Sequence, residues 1–308
     1  MKKTISVLMF FAGVASAAFN DTTWSFENTL EGTGTHEVSA SNVKYGKANA
    51  WNESTVTYED TNMTVGTKVG DYYLTKELGK AVILTDGCYL RVQDVYWTNQ
   101  EGKLGTVSQM LYQDKADGSG KEWQVDSVNT YTNSYTLMAW VKFDDLSDNK
   151  KSQAIFGTGT ANDSGMSFTL MDNKYIDLCA KGVADNKSDS LTLAANTWYN
   201  IAVTYDCTTK TANFYLNGKL VSTDTTVSNY HYAGNNWSAI GAKYYAGDGT
   251  AADVLDGSIA EFKILGGAYT QEQILKAAHL SSKPIPEPTT ATLSLLALAG
   301  LAARRRRK

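Results

Sequence analysis

The chain has 308 residues, 43% of them hydrophobic and 19% charged, and a formal net charge of −4. Seven of its 28 Lys and Arg lie at the two ends; without Lys2, Lys3 and residues 284–308 the body carries an excess of ten negative charges. Such a body repels nucleic acid and anionic lipid surfaces. Three cysteines, Cys88, Cys179 and Cys207, cannot all pair, and no Cys-x-x-Cys spacing points to a metal. The expectation is no disulfide.

Taken from the start, Met1 to Lys3 is basic, Ile5 to Val14 is apolar, and Ala15-Ser16-Ala17 has the small-x-small form of a cleavage site. Residues 1–17 read as a secretory signal peptide, with a mature chain beginning at Ala18; the apolar run is too short to span a membrane as an anchor. Short strand-like runs then recur between Asn-, Asp- and Gly-rich turns: Thr23–Phe26, Val56–Tyr58, Lys80–Leu84 and Cys88–Val92. Residues 96–130 are polar and glycine-containing, and read as a long loop of the kind that carries binding on a rigid sheet. Further runs follow at Tyr135–Phe143, Gln153–Gly157, Met166–Met171, Tyr175–Ala180 and Leu191–Leu193.

The clearest stretch is Leu193 to Val221. Ile201, Val203 and Tyr205 alternate with Ala202 and Thr204, polar residues turn the chain at Asp206–Lys210, and Ala212, Phe214 and Leu216 alternate again up to Asn217-Gly218. A period of two marks half-buried strands, and Asn-Gly suits a type I′ turn with positive φ at both central residues. Three antiparallel strands in succession are predicted. Trp237–Ala242 and Gly257–Leu265 complete the strand set. Thr270 and Gln273 form a capping box ahead of an apolar stripe of Ile274, Leu275 and Ala278, which predicts one short helix acting as a C-terminal latch. The fold class is therefore all-β: a two-sheet antiparallel jelly-roll sandwich over 18–282 with a short C-terminal helix, plus the signal peptide and a C-terminal hydrophobic tail.

The tail, residues 283–308, has three parts. Pro284, Pro286 and Pro288 are the only prolines and make a stiff linker. Thr289 to Ala303 is small and apolar, about 22 Å as a helix against a hydrocarbon core of roughly 30 Å. Arg304, Arg305, Arg306, Arg307 and Lys308 then supply a basic block that holds that end on the cytoplasmic side. With Pro286-Glu287-Pro288 ahead of the apolar segment and the arginines, this end resembles the PEP-CTERM sorting signal of bacterial envelope proteins. The resemblance implies transient anchoring in the inner membrane and cleavage by an exosortase-type enzyme after signal peptidase has acted. Delivery to the cell surface or extracellular matrix would follow.

Four pieces of the body resemble the LamG-like family of the concanavalin A-like lectin/glucanase superfamily: Tyr135–Lys142 (YTLMAWVK), Thr197–Val203 (TWYNIAV), Phe214–Lys219 (FYLNGK) and Asp256–Ile264 (DGSIAEFKI), in the family's order. Tyr269–Ile274 matches the helix with which such domains often close. The family usually carries two acids where this chain has Ala260-Glu261, which puts its structural calcium in doubt; Asp253 and Asp256 are the nearby weak candidates for Ca²⁺. No other cofactor is expected.

For catalysis, glucanases of the superfamily place Glu-x-Asp-x-x-Glu on one strand, and no two glutamates here stand five apart. His36, His231 and His279 are the only histidines, and none is near a Gly-x-Ser-x-Gly elbow. His279 reads as a surface residue at the end of the latch helix. Sugar sites combine an aromatic platform with a wet rim of amides. Tyr230, His231, Tyr232, Asn235, Asn236 and Trp237, with Tyr244 and Tyr245, have that composition, whereas Trp24, Trp140 and Trp198 read as core. The expectation is a non-catalytic exported envelope protein that recognises a glycan or surface polymer through loops at the sandwich rim. A structural envelope protein without ligand and a glycoside hydrolase are the alternatives.

Overall fold

The computed structural model describes residues 21–34, 43–47, 50–51, 56–93, 134–147, 152–158, 166–180, 186–206, 208–225, 237–244 and 251–284. Strands are numbered in chain order. One sheet, called the front sheet, runs edge to edge β17 (Lys219–Asp224), β16 (Thr211–Leu216), β15 (Trp198–Asp206), β10 (Tyr135–Phe143), β21 (Gly257–Gly266), β1 (Thr22–Trp24) and β2 (Gly32–Gly34). Two further strands, β8 (Lys80–Leu84) and β5 (Tyr58–Asp60), join it beyond β21. The back sheet runs β14 (Asn186–Lys187), β13 (Tyr175–Ala180), β12 (Met166–Met171), β11 (Ser152–Thr158), β18 (Trp237–Ile240), β9 (Tyr89–Gln93), β3 (Val43–Lys47) and β4 (Ala50–Trp51). All named strand pairs are antiparallel, which makes the molecule the expected sandwich.

The alternation read from the sequence places the core. Tyr135, Leu137, Ala139, Val141 and Phe143 of β10 and Tyr199, Ile201, Val203 and Tyr205 of β15 face Phe156, Phe168, Leu170, Ile176, Leu178 and Ile240 of the back sheet. Phe262 lies in the middle, stacked 5.0 Å from Phe156 and 5.7 Å from Trp24 between ring centroids. The Asn217-Gly218 turn closes a hairpin in which Leu216 pairs with Lys219, and both central residues have positive φ, 51° and 76°. That is the type I′ geometry the dipeptide favours.

Strand β21 departs from simple alternation for a physical reason. Ile259 and Phe262 are three residues apart yet both face the core. The register shifts between Trp140 and Val141, so that Trp140 pairs with Glu261 and Val141 with Ile259, leaving Ala260 as the extra residue of a β-bulge. The bulge falls where the other edge of β21 changes partner, from β8 at Gly257–Ile259 to β1 at Phe262–Ile264.

A third layer covers the outer face of the front sheet. Helix α1 (Gln271–Ala277), residues 61–78 and a small sheet of β22 (Leu280–Ser281), β7 (Tyr72–Leu74) and β6 (Lys68–Val69) bury Met138, Trp140, Ala202, Tyr215, Ala260 and Leu265. The capping box is present: Thr270 accepts from the Gln273 amide, and Gln273 accepts from the Thr270 amide. The last strand pair, β19 (Lys243–Tyr244) with β20 (Ala251–Ala252), lies beside β11 and β18.

Two expectations are corrected. Leu191–Leu193 is not a strand; it is extended chain tied by the Leu191 amide to the Lys174 carbonyl, with both leucines against the core. Trp237–Ala242 stops as a strand at Ile240 because Gly241 takes φ of 85°. The hairpin of β6 and β7 adds a strand pair to those expected. Residues 1–17, expected to be a signal peptide, residues 96–130 and residues 285–308 lie outside the described residues.

Candidate functional site

Most of the predicted sugar-site residues, Tyr230, His231, Tyr232, Asn235, Asn236 and Tyr245, lie outside the described residues. The backbone of the other two is placed. Trp237 opens β18 and pairs with Gln93, the last residue of β9. Tyr244 pairs with Ala251 in the small β19–β20 ribbon. Around Trp237 the sheet gathers several strand ends at one edge: Thr158 pairs with Ser238, Met166 with Ala180, and Val43 with Val92. The flanks of the predicted aromatic segment, 229–237, and of residues 96–130 therefore stand side by side at one end of the back sheet.

The weak calcium candidates, Asp253 and Asp256, lie in the segment between β20 and β21. Asp253 is held by Lys243 Nζ at 2.7 Å. The Asp256 backbone amide donates to Gln153 Oε1, and its carbonyl accepts from the Asp144 amide. Ala260, standing where the family's first acid would be, is the bulged residue and is buried in the outer apolar cluster. A carboxylate there would be desolvated among Met138 and Trp140. Among the described residues no three His, Cys, Asp or Glu side chains converge on a metal position.

Two clusters that no local sequence pattern signals stand on the outer face of the front sheet. The first is Glu261, Lys263 and His279. Glu261 Oε2 lies 2.9 Å from Lys263 Nζ and Oε1 lies 3.2 Å from His279 Nε2, with the Glu261 and Lys263 side chains 7% and 8% exposed. Burial pushes the Glu261 carboxyl up, but the His279 hydrogen bond and the Lys263 ammonium outweigh it and hold the group below its ordinary value. Lys263 Nζ also donates to the Ala277 carbonyl at 2.6 Å, and Trp140 Nε1 donates to the Ala278 carbonyl at 3.2 Å. Both carbonyls belong to the orphan set at a helix C-terminus. This cluster is the clasp of the latch helix, and it draws His279 out of solvent, contrary to the surface position expected of it.

The second cluster crosses five strands near the end of the same face. Lys142 pairs with Trp198 on one side and Ser258 on the other, and Ser258 pairs with Ile83 of β8. Lys142 Nζ reaches over β21 and β8 to Glu59 of β5, at 2.7 Å and 3.0 Å from the two carboxylate oxygens. It stands 3.7 Å from Asp144 and 5.8 Å from the centroid of the Trp198 ring. Trp198 is not the core residue predicted: its ring packs on the outer cluster and remains half-buried. Burial, with the nearby Glu59 and Asp256 carboxylates, raises the Asp144 pKa against the pull of Lys142.

The description "Concanavalin A-like lectin/glucanases superfamily" fits the chain over residues 117–275. The chain belongs to that superfamily. No curated protein matches it. Among solved structures, the superfamily fold recurs in domain 4 of AbnA, a GH43 extracellular arabinanase from Geobacillus stearothermophilus, in complex with arabinotriose. That likeness has 18% identity and a TM-score of 0.53, covering 85% of this chain and all of the other. A second is the Ruminococcus gnavus IT-sialidase CBM40 bound to α2,3 sialyllactose, with 13% identity and a TM-score of 0.42, covering 61% of this chain and 97% of the other. Among the described residues no helix is long and apolar enough to cross a membrane.

Proposed function

We propose that this superfamily member is an exported, non-catalytic envelope protein that recognises a glycan or extracellular polymer. Its contact surface is the rim of the back sheet at which Trp237 is anchored. The observation that carries the reading is the pairing of Trp237 with Gln93. It sets the exit of the aromatic, amide-rich segment 229–237 beside the start of the long polar stretch 94–133, on strands held rigid by the core. Aromatic faces ringed by amides are suited to the apolar face and hydroxyl edge of a pyranose. The arabinotriose held by the AbnA domain supports a saccharide as the class of ligand.

Export rests on the N-terminal leader and the Pro286-Glu287-Pro288, apolar and arginine-rich tail, with signal peptidase and an exosortase-type enzyme as processing partners. Against hydrolysis, Glu59 is gripped by Lys142 through both oxygens, so it is charge-compensated where a nucleophile would have to be free. The test is a glycan array probed with the purified chain, repeated with Trp237→Ala. Binding that falls with the substitution supports the reading. Silence across neutral, amino and acidic glycans favours a structural envelope protein without ligand.

A further inference from the structure

The front-sheet cluster is built in a way that structural ion pairing alone does not account for. Trp198, Lys142, Ser258 and Glu59 stand in a line across β15, β10, β21 and β5, with Asp144 beside Lys142. Directly opposite residues of antiparallel strands project from the same face, so the Ser258 side chain stands beside that of Lys142 beneath the Lys142–Glu59 bridge. Ser258 is 1% exposed and its hydroxyl has no hydrogen-bond partner. A buried hydroxyl without a partner is costly, and native structures keep one where something else completes it. Two carboxylates, Glu59 and Asp144, stand within 4 Å of the one ammonium of Lys142, at 2.7 Å and 3.7 Å, and Asp256 acts in turn on Asp144. Negative charge there exceeds what that ammonium offsets; the Asp144 pKa is raised first by burial and to a lesser degree by Glu59 and Asp256.

We propose that Trp198, Lys142, Ser258, Glu59 and Asp144 form a second saccharide subsite, on the face of the front sheet and apart from the rim, which takes sugars free of acidic groups. The proposal rests on the glycan reading above and adds to it a place and a charge preference. The exposed part of the Trp198 ring is the platform for a sugar face, and packing of the ring on the outer cluster keeps it in position without further ordering cost. Lys142 donates to ring or hydroxyl oxygens, while Glu59 and Asp144 accept from hydroxyls. An amino sugar's ammonium meets the surplus carboxylate charge, and a uronate or sialate carboxylate is repelled by it. The acidic body as a whole acts in the same sense.

The experiment is calorimetric titration of the full chain with three oligomers of matched length: cellohexaose, a glucosamine hexamer and an oligogalacturonate. Cellohexaose and the glucosamine hexamer are expected to bind and the oligogalacturonate to give no heat. Trp198→Ala should weaken binding about tenfold, the loss of one stacked ring, and Trp198→Phe should restore most of it. Glu59→Gln should weaken the glucosamine oligomer more than cellohexaose. Thermal midpoints of the variants establish that each is folded, and Trp198→Phe, which keeps a ring in the outer cluster, carries the test if the alanine variant is not. Binding that survives Trp198→Ala but is lost in Trp237→Ala, or preference for the oligogalacturonate, overturns the subsite and leaves rim recognition standing. No binding of any oligomer to the unsubstituted chain overturns the subsite, and the glycan reading falls only if the array is silent too.

Discussion

Glu261→Gln is the substitution that most directly tests how the latch is held. In the folded chain the carboxylate is 7% exposed and faces two groups, the Lys263 ammonium at 2.9 Å and His279 Nε2 at 3.2 Å. Glutamine keeps the shape and one acceptor but removes the charge, and it turns an amide NH₂ toward a neighbouring donor. Lys263, itself 8% exposed, is left as a buried cation whose remaining partner is the Ala277 carbonyl. Removing one member of a buried pair costs about 3 kcal/mol, roughly a 1 M fall in urea midpoint for a protein of this size. The loss depends on pH in a defined direction. The Glu261 pKa is lowered by folding, so its stabilisation is fully present above the unfolded carboxylate value and is lost as pH falls through the lower folded one. Urea melts of the two proteins at pH 7 should therefore differ widely, and the gap should narrow once the pH is below the ordinary glutamate range, about 4.3. A double substitution with Lys263→Met should recover part of the loss, because no buried charge is then stranded. Midpoints that coincide at pH 7, or a gap that widens in acid, would refute the reasoning.

Other outcomes follow from single contacts. Trp140→Phe deletes the hydrogen bond to the Ala278 carbonyl while retaining a ring in the outer cluster. It should cost about 1 kcal/mol, seen in calorimetry as a fall in thermal midpoint of about 2–4 °C. Gly218→Ala strains a residue at φ of 76° and drives its methyl into the Leu275 side chain. Chemical denaturation should show a loss above about 1 kcal/mol, whereas a gain would mean that the turn is not type I′. Phe262→Ala empties the space between Phe156 and Trp24 and should cost about 3–5 kcal/mol; near-UV circular dichroism should register the disturbed stack.

The sequence was most legible where neighbours along the chain decide the structure. The period of two in Tyr199–Tyr205, the Asn217-Gly218 dipeptide and the Thr270–Gln273 capping box each act within a few residues, and each appears where expected. The family pieces at Tyr135, Thr197, Phe214 and Asp256 became β10, β15, β16 and β21 with their turns. Where distant strands decide, local reading failed. Ile259-Ala260-Glu261-Phe262 has no clean alternation because a bulge set by the partner strand intervenes. Leu191–Leu193 has apolar spacing but no ladder beyond one hydrogen bond, because Lys174 sits at a turn. Trp198 looked like core because β15 alternates about it. Its actual face is the outer one, where a cation from β10 and a carboxylate 83 residues before that cation meet it. Nothing in a local window links Glu59, Lys142 and Ser258; only the sheet order does. The predicted aromatic site is legible in composition, and the fold adds the anchoring of Trp237 beside Gln93.

The position of β21 in the chain has a kinetic consequence. Its ten residues make the seam shared by β10 on one side and by β8 and β1 on the other, so residues 22–24, paired with β2 along one edge, wait for residues 262–264 to pair the other. A nascent chain lacking that last long strand has its front layer in three disconnected parts, and pairing so remote in sequence makes folding slow. Until nearly the whole chain has been made, the front sheet thus lacks the strand that joins its parts. Moving the β21 segment ahead of β1 by circular permutation would hasten collapse and shorten that interval.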